Sequence, residues 1–549
     1  MGRKKQHLLE KKFKFNRYLE IGSPDAETDG FLERAFIEKD ALNALLNMSN
    51  QRSILIGRTG SGKSAILKHI ERTQERVVRI EPEAMSLRFL SNSTIIQYFR
   101  DNDVNLNFFF KILWKHVFVI ELLRLSFSYD SRKKNNWFHN IREKFMTKHN
   151  HKRDKAFEYF EKWSNEFWLD TEVRIKEIEN TILKKFESEL GVDLHTLKGK
   201  AIESDSNKTA TKSDVKTKAE HVISEALAND IHEIIKILQE ELFTDSQQKH
   251  FVIIDDLDKQ WIDTNMRYEL IGAMIEVIKE FQIFKGVKII ISLRDNLYQL
   301  VFSGVSHTGG QREKFKPLYA ELSWSAIELR EFLNKRLYLA TENHLDIQSA
   351  FEKQHKGGKD GFAYMLERTF YRPRDVISYV NHAIENAGNK AHFTLDILKK
   401  AEIDYSIDRL QSIEDEWGEN YGEVKRVLRF LNGKHNGFNF RNVKEDEFSD
   451  IYFADRPDTF FKGDLLEWLV KWQKDQLSFT GFLKSVLFLL YQFGIIGLKK
   501  DSTYPIQFFY EKNVSLSVTD ISNDTKIYVH KAFYSVLKIN TKDLEADQY

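Results

Sequence analysis

Short apolar runs rich in β-branched residues recur along the first 325 residues of the chain. They lie at 53–56, 76–81, 250–254, 287–292 and 319–322. Runs of this length and composition predict strands that are buried on both faces, as in a parallel sheet. Between them, apolar residues recur every three or four positions, for example over 266–281, which predicts helices. The alternation of strands and helices indicates a doubly wound α/β core.

The segment between the second and third predicted strands is long and follows a helical period. Apolar residues recur with this period over 107–127, 175–186 and 223–238, and the polar stretch 203–218 has no apolar stripe. The pattern predicts one packed helix and then a helical hairpin with a flexible tip that projects from the core. Such a hairpin would serve oligomerisation or the sensing of a partner. The alternative is an inert packed insertion.

From about residue 430 the pattern predicts a separate domain with two helices and a hairpin. The helices are expected at 463–474 and 478–493, a glycine turn at 494–497, and the hairpin at 507–518 with 526–530. This order is consistent with a winged-helix-like domain. The second helix is strongly apolar, whereas a helix that reads DNA would expose more Arg, Asn or Gln. We therefore expect this domain to pack against protein.

Composition narrows the class of protein. A chain of 549 residues exceeds what one hydrophobic core usually organises, and the absence of cysteine excludes disulfides, thiolate zinc sites and a cysteine nucleophile. Basic and acidic residues number 83 and 82, so the chain as a whole attracts neither nucleic acid nor an anionic membrane. The longest uncharged apolar stretch, 485–498, has 14 residues, short of the roughly 20 that span a bilayer. The basic segment 1–15 lacks the apolar core of a secretory signal, so we expect a partly disordered arm on a cytoplasmic protein that does not span a membrane.

The octapeptide GRTGSGKS follows the first predicted strand and precedes a predicted helix, which is the context of a phosphate-binding P-loop. Its glycines let backbone N–H groups surround phosphates at the N-terminus of the helix. Lys63 would lie along the β- and γ-phosphates, and Ser64 would offer its hydroxyl to Mg²⁺. The predicted nucleotide-binding residues are Gly57, Arg58, Thr59, Gly60, Ser61, Gly62, Lys63, Ser64 and Ala65.

The strand at 250–254 ends in the acidic sequence DDLD, which is typical of a Walker B motif. Asp255 is predicted to hold Mg²⁺ through water, and Asp256 to orient or deprotonate the attacking water. Asp258 is the less favoured base. Together with the P-loop, this motif predicts nucleotide hydrolysis, with Ser64 and Asp255 on the metal.

Arg294 follows the strand at 287–292 and would stand beside the acidic strand. From there it can reach a γ-phosphate and so distinguish ATP from ADP. The alternative is an ion pair with Asp295. The predicted catalytic residues are therefore Asp256, Lys63 and Arg294.

The order of these motifs resembles a known group of proteins. The segments GRTGSGKS, FVIIDDLD, IISLRD, ELSWSAIELREFLNKRL and TFYRPRDVISYVNHAIENA, with the lead-in GSPDAETDGFLERAF, are similar to a bacterial P-loop ATPase family related to the STAND, KAP and origin-recognition groups of AAA+-like ATPases. The resemblance implies ATP and Mg²⁺ as ligands, a helical lid and a C-terminal winged-helix-like domain, often in proteins of antiviral defence or signalling. Asp256 departs from the Glu of most related hydrolases, which predicts slow or regulated turnover.

The resemblance also implies a second nucleotide sensor in the lid. Pro373 suits the first turn of a helix, and Arg372 and Arg374 flank it. One of them, with Arg374 as the first choice, would contact phosphate and couple the nucleotide state to the lid. The alternative is pairing with Asp375.

Basic residues cluster just before the predicted hairpin, with Trp137 and Phe138 between them. Such a cluster can hold phosphates and stack a base, although a solvated helix face has the same composition. The basic residues are Arg132, Lys133, Lys134, Arg142, Lys144, Lys148, Lys152, Arg153 and Lys155.

These patterns predict an α/β P-loop NTPase with a parallel-sheet core, a large helical insertion, a helical lid and a C-terminal winged-helix-like domain. The predicted divisions are an arm and lead-in (1–40), the ATPase core (41–106 with 249–325), the insertion (107–248), the lid (326–429) and the C-terminal domain (430–549).

Three functions fit this organisation. The first is a regulated ATPase that assembles with itself or with an effector protein. The second is an ATP-gated protein that binds double-stranded DNA through the basic cluster or the winged helix. The third is a scaffold that keeps nucleotide as part of its structure.

Overall fold

The computed structural model of the protein describes most of the chain and divides it into two compact units. The units are 38–323, and 13–37 together with 324–541. The described residues are 13–85, 90, 93–127, 151–163, 180–189, 216–219, 231–259, 261–295, 297–298, 301, 312–352, 360–511 and 516–541.

Five parallel strands form the sheet of the unit 38–323, in the spatial order β2-β3-β4-β1-β5. All five were predicted from the apolar runs, and the α/β class is confirmed. Because the strands are parallel, their carboxyl ends share one edge, which is where such sheets bind ligands. The strands are β1 Ile54–Gly57, β2 Val77–Ile80, β3 His250–Ile254, β4 Val287–Arg294 and β5 Tyr319–Glu321.

The helices of this unit pack with the sheet around one apolar core. The fourth is apolar on almost every face, and a helix of that composition must be buried. Its Trp114 donates a hydrogen bond from Nε1 to the carbonyl oxygen of Leu270 at 2.8 Å, which fixes it against the sixth helix. The helices are α1 Asp40–Leu46, α2 Lys63–Thr73, α3 Thr94–Asp101, α4 Asn107–Ser126, α5 His151–Trp163, α6 Thr264–Glu280 and α7 Arg312–Phe315.

The described parts of the insertion pack into the core of this unit, and a hairpin that projects beyond them stays a prediction. Ile182, Phe186 and Ile231 belong to the same buried cluster as the sheet. The ring of Phe186 packs edge-on against that of Phe99, with centroids 5.4 Å apart. The described apolar residues of the two predicted hairpin helices are therefore buried in the core of the unit. Ile175, Ile178, Ile223, Leu227 and most of the predicted tip lie outside the described residues.

The second unit combines the lead-in with the predicted lid. Asp29 and Arg336 form a fully buried ion pair at 2.5 Å, and the ring of Phe15 stacks on Phe393 at 4.4 Å. The lead-in is therefore an integral part of this core. The helices of the lid are α8 Ala326–Ala340, α9 Ile347–Ala350, α10 Gly361–Leu366, α11 Pro373–Ala387 and α12 Leu395–Tyr421.

The C-terminal segment shares one apolar core with the lid. The long helix α12 buries residues over most of its length and joins the two predicted domains, so no core boundary falls at 429/430. A three-stranded antiparallel sheet completes it, in the order β6-β8-β7. Its elements are α13 Val424–Val427, β6 Gly437–Asn439, α14 Ser449–Tyr452, α15 Gly463–Gln473, α16 Phe479–Gln492, β7 Ile496–Lys499 and β8 Lys526–Val529.

The predicted hairpin of 507–518 with 526–530 was misplaced. Strand β8 pairs with β6 and β7, while Gln507 makes an isolated bridge to Leu498. The predicted glycine turn is shorter than expected: Gly494 has a φ of 76°, but Ile496 already begins β7. Buried apolar side chains at 496 and 498 explain why this stretch extends as a strand. Helices α14, α15 and α16 lie between β6 and β7, and the winged-helix-like character of this domain stays a prediction.

In the part of the chain that the structure describes, no helix combines the length and apolar character that crossing a bilayer requires.

Candidate functional site

The P-loop leaves β1 in a tight curve that only small residues permit. A Cβ atom on Gly57 would lie 2.6 Å from the Ser61 Oγ and 3.2 Å from the Leu322 carbonyl oxygen. Gly60 and Gly62 have φ values of 77° and 95°, a region that favours glycine. The predicted glycines therefore have the conformations or close contacts that explain them.

Helix α2 begins directly after this loop, at Lys63, and its N-cap Gly62 has no side chain to satisfy the first N–H groups. Exposed N–H groups at a helix N-terminus attract anions. Ser64 and Ala65 occupy the first turn, and Arg58 and Thr59 are half-buried in the loop. The whole predicted phosphate-binding octapeptide thus lies at the carboxyl edge of the sheet.

The ammonium group of Lys63 is buried and held within the loop. Its Nζ donates hydrogen bonds to the carbonyl oxygens of Gly57 and Arg58, at 2.8 and 3.1 Å. Burial, followed by the positive charge of Arg294, lowers the pKa of Lys63 to about 8, against the opposing effect of nearby carboxylates. These electrostatic effects place Lys63 in one site with the predicted sensor and with Asp295, Asp255 and Asp258.

Asp255 stands at the end of β3 as a buried carboxylate, 4% exposed. Ser292 on β4 donates a short hydrogen bond to its Oδ1, and Arg79 on β2 lies 3.5 Å from its Oδ2. Mg²⁺ in nucleotide sites is held by one or two protein oxygens together with phosphate and water. Asp255 and Ser64 fit that requirement. Within the described ranges, no group of three or more His, Asp or Glu side chains is arranged to hold a metal.

Asp256 adopts a φ of 57°, which is uncommon for a residue other than glycine and often marks a functional position. Its carboxylate lies 3.1 Å from the Lys259 Nζ and 4.0 Å from the Arg79 Nη2. The side chain is one-third exposed, so water can reach the predicted base.

Arg294 ends β4, between the strands that carry the P-loop and the acidic motif. Its Nη2 lies 2.5 Å from the Asp258 Oδ2. The sequence suggested either a phosphate sensor or a pair with Asp295; the structure instead pairs Arg294 with Asp258.

Sequence reasoning missed Arg79 and Ser292. Strand β2 lies beside β3, with Arg79 opposite Ile253, so the guanidinium reaches both acids of the motif. Its Nη1 also pairs with Glu71 on α2 at 3.2 Å, and it thereby links the P-loop helix to the acidic motif. A charged residue inside an apolar strand was the available signal for Arg79, and the strand order was needed to interpret it.

The lid arginines lie in the second unit. Arg372 is buried and bonds Asp375 through Nε and Nη2, at 2.8 and 2.9 Å, which is the alternative weighed for it. Arg374 is more exposed, and its Nε donates to the Pro24 carbonyl oxygen at 3.2 Å. Contact of either arginine with nucleotide stays a prediction.

The predicted basic cluster lies mostly outside the described residues. Of its last members, Lys152 pairs with Glu240 at 2.9 Å and Lys155 with Glu233 at 2.5 Å. Arg153 donates to the Glu241 carbonyl oxygen at 2.9 Å. These three residues hold the helix at 231–242 rather than forming an open basic surface.

Comparison with known proteins matches two family descriptions to the chain. Residues 38–297 match the KAP family P-loop domain, and residues 327–414 match the FunZ-associated C-terminal helical domain. The first match begins where the sheet-containing unit begins. The second lies within the predicted lid.

Two similar proteins extend over most of the chain. The transposon gamma-delta 80.3 kDa protein of Escherichia coli (strain K12) is 21% identical over 548 residues, which cover 96% of this chain and 68% of that protein. The crystal structure of Cdc6p from Pyrobaculum aerophilum covers 93% of both chains at 10% identity, with a TM-score of 0.27, too low to support an argument about shared fold. The P-loop lies at the edge of a parallel sheet, and residues 38–297 match the KAP family P-loop domain. The chain is therefore a nucleotide-binding P-loop NTPase related to the KAP family.

Proposed function

We propose that the protein is an ATP-binding and ATP-hydrolysing switch whose nucleotide state controls its assembly with itself or with an effector protein in the cytoplasm, in the setting of bacterial antiphage defence. One observation carries the hydrolytic part of this proposal. The P-loop lysine, the two acids after β3 and the arginine that ends β4 share one edge of the sheet.

Each side chain has a distinct task in this proposal. Lys63 and the N–H groups at the start of α2 bind the phosphates. Ser64 and Asp255 would hold Mg²⁺, which when bound neutralises charge on the β- and γ-phosphates. Asp256 accepts the proton of the attacking water, and Arg294 stabilises negative charge on the transferred phosphoryl group.

The contacts around the acids support slow basal turnover, as expected of a switch. Asp256 is engaged by Lys259 and Arg79, and Arg294 is engaged by Asp258. Each of these pairs must loosen before the side chain can act on water or phosphate. A partner that loosens them would accelerate hydrolysis.

DNA binding is the second candidate, and the described surfaces give it less support. Helix α16 would be the reading helix of the winged-helix-like domain, yet its Phe482, Leu483, Val486 and Leu487 are buried. The described members of the basic cluster are engaged with the helix at 231–242. Because the name of one relative places it in a transposon, a DNA arm belongs in the test. The nucleotide-bound scaffold is the third candidate.

The test is steady-state phosphate release by the full chain, with and without duplex DNA, for the native protein and Asp256→Asn. We expect slow release that DNA leaves unchanged and that Asp256→Asn lowers about 100-fold. Glu269→Gln, which breaks a partly exposed pair with Arg100 at 2.7 Å in the same unit, is the matched control and should retain the native rate.

The other outcomes separate the candidates. Severalfold stimulation by DNA would favour the DNA-binding function. Tight nucleotide binding without phosphate release, together with unfolding when nucleotide is removed, would favour the scaffold.

A further inference from the structure

Asp258 forms an ion pair with Arg294, the arginine that is predicted to contact the γ-phosphate of ATP. Arg294 ends β4, Asp258 lies in the turn that follows the neighbouring strand β3, and their side chains meet at 2.5 Å. Both are partly buried, with 31% and 24% of the side chains exposed. Partial burial makes such a pair less subject to screening by salt than a fully exposed one.

The backbone that carries Asp258 is fixed by two side chains from outside the acidic motif. Arg267 on α6 is buried, and its Nη1 donates to the carbonyl oxygens of Asp258 and Lys259 at 3.0 and 2.9 Å. Trp261 donates from Nε1 to the Leu257 carbonyl oxygen at 3.1 Å. Because this turn is held in place, Asp258 cannot follow Arg294 toward a phosphate.

When ATP is bound, two negatively charged groups would compete for the Arg294 guanidinium group. Lys63 lies close enough for the charges of Arg294 and Asp258 to affect its pKa in opposite directions, so the pair stands beside the phosphate-binding lysine. ATP brings a γ-phosphate near this position, and ADP does not. The γ-phosphate and the Asp258 carboxylate would therefore compete for one guanidinium group.

We propose that Asp258 is a specificity-determining residue: by holding Arg294 against the pull of the γ-phosphate, it lowers the preference of the site for ATP over ADP and slows basal turnover. This inference rests on the proposed ATPase function and adds a control element to it. The opposite role, in which Asp258 orients Arg294 for catalysis, predicts effects of opposite sign.

The experiment compares Asp258→Asn with the parent in two backgrounds. In Asp256→Asn protein, where hydrolysis is suppressed, we expect the ratio of the ADP to the ATP dissociation constant to rise about threefold to fivefold, the range for loss of a partly exposed ion pair. In otherwise native protein, kcat should rise by a similar factor. Arg294→Ala should lower the ratio, and adding Asp258→Asn to Arg294→Ala should change nothing further.

A fall in the ratio, an unchanged ratio, or an equal effect of Asp258→Asn in the Arg294→Ala background would each overturn the proposal. Asp258→Ser is the second variant if Asp258→Asn unfolds, and Glu269→Gln is the control for loss of a carboxylate elsewhere in the unit. Absence of phosphate release from the native protein would contradict the ATPase function alone, because the binding ratio still tests the role of Asp258.

Discussion

Lys63 shows how one residue combines structural and chemical roles. Its ammonium group donates to two carbonyl oxygens of the P-loop. Burial of this group, followed by the positive charge of Arg294, lowers its pKa to about 8. A lysine with this pKa is only partly protonated slightly above neutral pH. Phosphate binding favours the charged form and raises the pKa again.

Nucleotide affinity should therefore depend on pH. Below about pH 7.5 Lys63 is charged in the free protein and affinity should be constant. Above pH 8 binding must take up a proton, so the dissociation constant for ATP should rise by up to about tenfold per pH unit. Calorimetric titrations in buffers of different ionisation enthalpy would measure both the affinity and the proton uptake.

Arg294→Ala provides the control for this pH dependence. Because Arg294 lowers the pKa of Lys63, its removal should move the midpoint to higher pH. An affinity that stays constant from pH 7 to pH 9 would show that Lys63 keeps an ordinary pKa.

At the scale of the element, the start of α11 depends on one buried carboxylate. Asp375 accepts hydrogen bonds from Arg372 and from the Phe370 N–H, and lies 3.9 Å from Arg409. Burial would raise the pKa of Asp375, but Arg372, with help from Arg409 and the Phe370 N–H, lowers it to about 2. The depressed pKa means that this pair stabilises the unit above about pH 4 and that the contribution is lost as the pH falls toward 2.

Asp375→Asn should lower the free energy of unfolding of the second unit by about 3 to 5 kcal/mol, because it leaves Arg372 buried beside a neutral partner. Urea denaturation measures this change. Arg374→Ala, one residue away and more exposed, should change stability by less than about 0.5 kcal/mol.

The same two variants separate the roles of the lid arginines. If Arg374 is the second sensor, Arg374→Ala weakens ATP binding more than ADP binding in a stable protein. If Asp375→Asn leaves stability unchanged, the buried pair does not hold the start of α11.

At the scale of the whole molecule, the N-terminal lead-in belongs to the second unit, although the residues of the first unit, 38–323, follow it in the sequence. The lead-in packs with a core that is formed more than 280 residues later in the sequence, through the Asp29–Arg336 pair and the Phe15–Phe393 stack. Two partly buried hydrogen bonds of the Asn381 side-chain amide extend this association: its Oδ1 accepts from the Ile21 N–H at 3.1 Å, and its Nδ2 donates to the Gly22 carbonyl oxygen at 3.0 Å. The units are therefore discontinuous in sequence.

Deletion of residues 1–37 should destabilise the distant unit more than the adjacent one. We expect amide hydrogen exchange in α11 and α12 to accelerate about tenfold or more, with the central strands β1, β3 and β4 unchanged. Asp29→Asn should give a weaker version of the same pattern. Faster exchange confined to the sheet would contradict this division of the chain.

The sequence alone determined the strands, the P-loop and the acidic motif. Buried strands and glycine-dependent turns follow from neighbouring residues, so apolar runs and the spacing of GRTGSGKS identified them. Helices α15 and α16 were predicted within a residue or two for the same reason.

Only the tertiary structure decided which charges meet and where the longer segments pack. The order β2-β3-β4 brings Arg79 and Arg294 to opposite sides of the acidic motif, and no local pattern contains that order. The partner of Arg294, the packing of the insertion and the place of the lead-in all depend on contacts between residues far apart in the chain. Apolar periodicity predicts that one face of a helix or strand will be buried. Which other part of the protein covers that face depends on the complete tertiary structure.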